Sequence, residues 1–365
     1  MNTEYVTTLE ELEAKLTEMN REESVQSLIM LMADQGHFTN KQLTPLLKGF
    51  IKPLIGGVFP ELIVHGERKN SGVLLLPQSF PMKTKMVLFE EHNMDYFQAL
   101  DESYASAGDG HLFVITDALG TKKNELVESL FNYFGLTVSY LGGGAGSLSF
   151  KPFPCVIDNS GMHQNATIIA FAPIKASIGV AHGWSSISEP LKVTDSWDNQ
   201  VKSIDWEPAF KIYQQLVEKH SGEKFANNNF FDIAKSYPLG LVKLDDELII
   251  RDPFAVDDDT IMIVDRINQG EYIRIMNGNM NSLLKAAKTA KKLAMKNKDV
   301  AAKKNLFVVD CISRVLYMGD DFNKELEILT EQQDTVNGAL TIGEIANTGS
   351  SFLEIFNKTI VVSTW

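Results

Sequence analysis

Asp310, Cys311, Ser313 and Arg314 fall within five residues, so one short stretch carries a carboxylate, a thiol, a hydroxyl and a guanidinium. A cation beside a thiol lowers its pKa and makes Cys311 a possible nucleophile. The alternative is a small buried apolar residue, the usual fate of a free cysteine. No histidine or asparagine partner can be placed by sequence, so a Cys-His hydrolase pattern is not formed. Arg314, and Arg251 elsewhere, can each grip a carboxylate through paired N–H bonds and stay charged when buried. Glu325 and Glu344 would then either pair with these arginines or bind a ligand amine. Two arginines with two glutamates suit an amino-acid-like molecule that carries both charges. They equally suit one another as internal ion pairs, since buried charges need partners.

These groups must be positioned by regular elements. The apolar run Leu306–Val309 predicts a buried strand that ends in them. Thr8 and Glu11 form a capping box before a helix over 9–20, and Ser27–Ala33 predicts a buried strand. Asn40 caps a second helix that ends at Gly56-Gly57, and helices follow over 94–104 and 122–134. The run Gly142 to Ser147 lacks the Lys-Ser/Thr of a phosphate loop and predicts a tight connection between strands. Pro208 opens a helix, and four strands between 239 and 276 predict a meander. Asn281 caps a helix to about residue 298 whose lysines face solvent. A helix over 321–332 and strands over 339–345 and 352–362 complete the chain. The fold class expected is mixed α/β (α+β): large, mainly antiparallel sheets flanked by helices, in two closely packed halves. The divisions are an N-terminal helix over 1–22, a first domain over 23–205 and a second over 206–365.

The chain has 365 residues with 34 Lys and Arg against 47 Asp and Glu, a net charge of −13. That balance argues against nucleic acid and anionic membranes as partners. No apolar stretch is long enough for membrane insertion, and Met1–Tyr5 does not read as a signal peptide. Two distant cysteines and seven scattered histidines give no zinc spacing, so a reduced, cytoplasmic protein is expected.

The order of motifs resembles the FIST family, with both its N-terminal and C-terminal domains. The resemblance is carried by His182-Gly-Trp184, the run from Asn199 to Tyr213, Leu248 to Pro253, Asn268-Gln-Gly270-Glu271, Cys311 to Arg314 with Glu325, Gly343-Glu344-Ile345, and Asn357-Lys-Thr359. In the first half, Gly56 to Pro60 and Gly142 to Ser147 carry it. One turn departs from the pattern, with Trp206-Glu207 where the family has a glycine. The resemblance implies a sensory, non-catalytic protein that binds a small ligand and signals to a histidine kinase or a cyclic-di-GMP enzyme, with homo-oligomerisation left open. It adds Gly343 and Asn357 to Arg251, Cys311, Arg314, Glu325 and Glu344 as expected ligand-binding residues. One branch of the family senses nitric oxide through haem. On that reading His182 is the axial ligand of a non-covalent haem b, with His163 and His111 as less favoured alternatives. A thiol-dependent enzyme using Cys311 is the alternative from another class.

Overall fold

The computed structural model describes residues 3–89, 95–226, 228–243, 247–297, 305–347 and 352–365. It has the expected mixed α/β class, with strands mostly antiparallel. Three of its four sheets have six strands each and share one topology. Each is built around a strand–helix–strand unit with its two strands parallel: Ser27–Ala33 with Leu54–Phe59, Gly110–Asp117 with Val138–Ala145, and Asn305–Cys311 with Thr335–Thr341. These strands are near-continuous apolar runs, as burial on both faces requires, and parallel pairing needs the crossover helix.

After each unit the chain leaves its own sheet and adds a hairpin to another. Glu61–Val64 pairs with Thr335–Thr341 of the third unit. Val156–Asp158 pairs with Leu54–Phe59 of the first, and Glu344–Ala346 with Val138–Ala145 of the second. The chain then returns to its own sheet through Val73–Gln78, Ala166–Ala172 or Ile360–Thr364. The three units are thereby locked in a cycle. Each sheet is complete only when a neighbour lends it two strands.

One residue type recurs at the same register in all three parallel pairs: Gly56 opposite Met30, Gly142 opposite Val114, and Gly338 opposite Val308. A Cβ at these glycines would lie 2.2, 1.7 and 1.8 Å from the carbonyl oxygen of the residue opposite. Close approach of backbone is thus needed within each parallel pair, and the three glycine-bearing strands also touch one another where the sheets converge.

The third unit is interrupted. Between Ser177–Ala181 and the helix Met280–Ala294 the chain inserts a separate antiparallel sheet with the helices Ala209–Ser221 and Phe230–Ala234. The boundary expected at 205/206 falls inside this insertion, between Gln200–Ile204 and Glu207–Pro208.

Several local expectations are corrected. The strands from 239 to 276 are not a sequential meander: Tyr272–Asn277 pairs with Leu239–Val242, while Thr260–Ile263 lies beside Gln200–Ile204 and an unforeseen strand, Pro253–Asp257. Gly142–Gly144 belong to a strand, because their carbonyls and N–H groups are taken up by neighbours on both sides. The cap of the basic helix is Asn279, whose side chain accepts from the Ser282 N–H. Its expected end at residue 298, and Met94, lie outside the described residues. The last two expected strands are each split between two sheets, and a helix, Ile312–Met318, follows the Leu306 strand directly.

The glycine contacts give a test. Gly142→Ala forces backbone apart at the junction and should cost about 3 kcal/mol in chemical denaturation. Gly49→Ala, with nothing within 4 Å of its new methyl group, should be neutral or stabilising by up to about 1 kcal/mol.

Candidate functional site

Strand alternation sends Asp310 and Cys311 to opposite faces of the third sheet. Asp310 meets Arg314, whose helix begins immediately after the strand. Arg314 Nε lies 3.0 Å from Asp310 Oδ1, and its Nη2 donates to Glu325 Oε2. Nη1 donates to the His182 carbonyl at 3.0 Å and Nη2 reaches the Leu283 carbonyl at 3.4 Å. Arg314, Asp310 and Glu325 are all fully buried. One guanidinium facing two carboxylates leaves an excess negative charge with no water to screen it. Burial, with Glu325 beside it and only partly opposed by Arg314, raises Asp310 well above the carboxylate range. A proton held there neutralises the cluster. Arg314 and Glu325 are thus brought together, and their contacts are made within the protein.

Glu344 lies on the other side, near Cys311. Its Oε1 accepts from Thr341 Oγ1 at 2.9 Å, while Oε2 has no partner among the described residues. No ion contact joins Glu344 to either arginine among the described residues. Burial raises its carboxyl well above the ordinary range. Cys311 Sγ sits 3.0 Å from Ser313 Oγ, and burial followed by the nearby Glu344 pushes the thiol up to about 12. Burial and the acidic Glu344 thus act on this thiol in the direction opposite to the activation that a neighbouring Arg314 was expected to give. Gly343, at φ +90°, turns the chain so that its carbonyl accepts the Gly144 N–H at 2.8 Å.

Asn357 donates to Asp265 Oδ2 at 3.1 Å, and Asp265 pairs with Lys123 of the second unit at 2.8 Å. Lys358 was missed from the sequence as a functional group. It is fully buried, 3.2 Å from Asp252, and lies over the Trp184 ring at 5.2 Å. Its place in the Asn357-Lys-Thr359 motif was the only available signal.

Arg251 has a different setting. It lines a cleft of about 730 Å³ between the helix Lys123–Phe134, the inserted sheet and the strand Glu354–Phe356. Backbone carbonyls hold it: Nη1 donates to Ile355 at 2.8 Å and to Ile250 at 3.2 Å, and Nε to Arg266 at 3.2 Å. A guanidinium has five N–H groups. Among the described residues the Nη2 pair makes no hydrogen bond; Glu354 Oε2 is its ion partner at 3.9 Å. Glu247, Glu271, Lys243 and Arg266 also line the cleft. Burial, with Glu354 nearby, raises the Glu247 carboxyl above its ordinary range. Of the seven residues expected to bind ligand, Arg251 is the one on this cleft. Glu271 lies in the Asn268-Gln-Gly270-Glu271 motif, but Glu247 and Glu354 carry no motif, and the convergence of the three was not legible in the sequence.

His182 borders a second cleft, of about 550 Å³. Its Nδ1 accepts the Trp184 backbone N–H at 3.0 Å, which places the ring proton on Nε2. Burial, followed by Arg314, lowers its pKa to about 4, so the ring is neutral. A protonated Nε2 has no lone pair for iron, and although Val180, Trp184, Leu248 and Phe356 give the cleft apolar walls, Glu247 and Lys285 also line it. These residues do not fit an axial haem site. His163 pairs with Asp158 at 3.0 Å, and fully buried His111 is held by Ser139 at 2.7 Å.

Two predictions follow from the buried groups. Arg314→Leu should cost about 3–5 kcal/mol by stranding two carboxylates, with part recovered when Asp310→Asn and Glu325→Gln are added. Glu344 keeps in the fold a proton that the unfolded chain releases above the ordinary carboxylate range. Its contribution is therefore lost as pH rises from that range towards the raised folded pKa. Glu344→Gln should stabilise the protein near neutral pH and flatten this dependence in denaturation curves measured across pH.

No curated protein matches the chain. The FIST N domain matches residues 27–207 and the FIST C domain matches residues 209–347. FIST domains are generally small-ligand sensing domains of signalling proteins. The two matches run in sequence across most of the described fold, and the chain belongs to the FIST family.

Proposed function

We propose that this protein is a non-catalytic sensor that binds a zwitterionic, amino-acid-like ligand in the Arg251 cleft and regulates a partner signalling protein, a histidine kinase or a cyclic-di-GMP enzyme. The observation that carries the reading is the Nη2 edge of Arg251, which makes no hydrogen bond among the described residues and has only the looser Glu354 contact at 3.9 Å. Three carbonyls fix the guanidinium, and its remaining N–H pair opens on a cleft with carboxylates across from it. A ligand carboxylate would take that edge in paired, charge-assisted bonds. A ligand ammonium would sit against Glu354 and Glu247, which lie close enough to raise the Glu247 pKa.

The cleft also supports a signalling role. One wall is the helix Lys123–Phe134 of the repeated body and the other is the insertion. Charged pairs span them: Lys123 with Asp265, and Arg266 with Glu125 at 3.2 Å and with Glu128 at 2.5 Å. A ligand touching both walls would favour one arrangement of them by its differential affinity. On this reading Arg314, Glu325, Glu344 and Asn357 stabilise the body and do not touch ligand. The same holds for Gly343 and Cys311, whose buried thiol offers no nucleophile.

A thermal-shift and calorimetric screen of the proteinogenic amino acids tests the proposal. At least one should stabilise the protein, while acetate and methylammonium should not. Arg251→Gln should weaken binding at least about tenfold, because a hydrogen bond to a charged group contributes ~1.5–3 kcal/mol. No shift with any amino acid, or a shift unchanged in Arg251→Gln, would refute it.

A further inference from the structure

We infer that a second, chemically distinct binding site lies at the start of the third unit's parallel strands, and that it takes a small uncharged planar molecule with an amide or lactam edge, of nucleobase or carboxamide type. The inference stands apart from the ligand proposed for the Arg251 cleft. The site is a cavity of about 300 Å³ where the end of Val73–Gln78 meets the beginnings of Asn305–Cys311 and Thr335–Thr341, with Trp365 closing one side.

Among the described residues, none of the side chains lining this cavity is ionisable. The contrast with the Arg251 cleft, which carries three cations and several carboxylates, is complete. A charged ligand entering here would lose hydration without meeting a counter-charge among the described side chains, whereas a neutral one has far less hydration to lose. The walls are nevertheless rich in hydrogen-bonding groups, from the amides Gln78, Asn305 and Asn337 to the hydroxyls of Ser79 and Thr335.

Gln78 supplies the recognition edge. It is only 8 % exposed. Its Nε2 donates to the Leu76 carbonyl at 2.9 Å, and its Oε1 accepts the Trp365 Nε1–H at 3.0 Å. A primary amide has two N–H donors and two lone pairs, so one of each remains. A side-chain amide with a donor and an acceptor side by side reads the edge of a base in this way. Asn305 stands at the exposed rim, oriented by Thr335 Oγ1 at 2.9 Å. Trp365 is held as a rigid wall by the Gln78 bond and by the rings of Phe307 at 5.4 Å, Phe113 at 5.2 Å and His111 at 6.1 Å. A fixed aromatic ring next to a fixed amide edge suits a flat heterocycle that stacks and hydrogen-bonds at once. The volume lies at the lower end of the range for ligand pockets, roughly 300–1,000 Å³, which fits one or two fused rings.

Titration of the intact protein with uracil, nicotinamide and adenine tests this, read by saturation-transfer NMR and by calorimetry. At least one probe should bind. Gln78→Leu should weaken that binding at least tenfold, and Asn305→Ala at the rim should weaken it without changing the melting temperature. Where Gln78→Leu itself lowers the melting temperature, the Asn305→Ala result decides. Absence of binding by all three probes, or binding unaffected by Asn305→Ala, overturns the inference.

Discussion

The structure depends on how closely the two strands of each of three parallel pairs can approach. Gly56, Gly142 and Gly338 each lie against the carbonyl oxygen of the residue opposite, at distances no Cβ could share. Around this junction every unit lends a hairpin to the next, so none of the three six-stranded sheets is complete without another unit's chain. Strand pairing thus crosses between residues matched by the N and C domains, for example where Glu61–Val64 lies beside Thr335–Thr341. Contacts between residues so far apart in sequence close long loops, which makes the assembly cooperative and slow to form on physical grounds.

The interlocked body also accounts for the charges buried within it. Arg314 lies at the start of a helix that follows its strand directly, where the only available partners are Asp310, Glu325 and two backbone carbonyls. Such a cluster contributes little net stability and is costly to break. Arg251 has a different arrangement. Its carbonyl contacts orient the guanidinium on the cleft wall, with Glu354 at 3.9 Å and the buried Asp265 as its acidic neighbours. Two arginines with similar chemistry in the sequence are therefore separated by their surroundings, one serving the body and the other the proposed site.

Local order was largely legible in the sequence. The capping box at Thr8 and Glu11, the apolar strands from Ser27 and Leu306, and the helix opened by Pro208 all follow from short-range patterns that the structure keeps. The cyclic topology was not legible, because the three units share no motif beyond a glycine in the second strand of each. The runs 339–345 and 352–362 show why: unbroken apolar character cannot reveal that a chain changes sheet midway. Arg251 could be picked out by its chemistry alone. Its neighbours Glu247, Glu354 and Lys243 could not, since only the placement of the insertion beside the helix Lys123–Phe134 brings them together. For Cys311 the sequence left a reactive thiol and a small buried residue both open, because burial, which raises the thiol here, is not visible in a linear run of residues.

The insertion gives the third unit something the other two lack, a surface facing the repeated body across a charged cleft. If this cleft is where the sensor meets its ligand, ordering should begin at its two walls. Hydrogen exchange of the intact protein, with and without the amino acid that stabilises it most, measures this directly. The account predicts protection concentrated in the helix Lys123–Phe134, in Leu248–Arg251 and in Glu354–Phe356. Protection centred instead on Asn305–Cys311 and the helices after it, with the cleft walls unchanged, would contradict the account and return the site to Arg314.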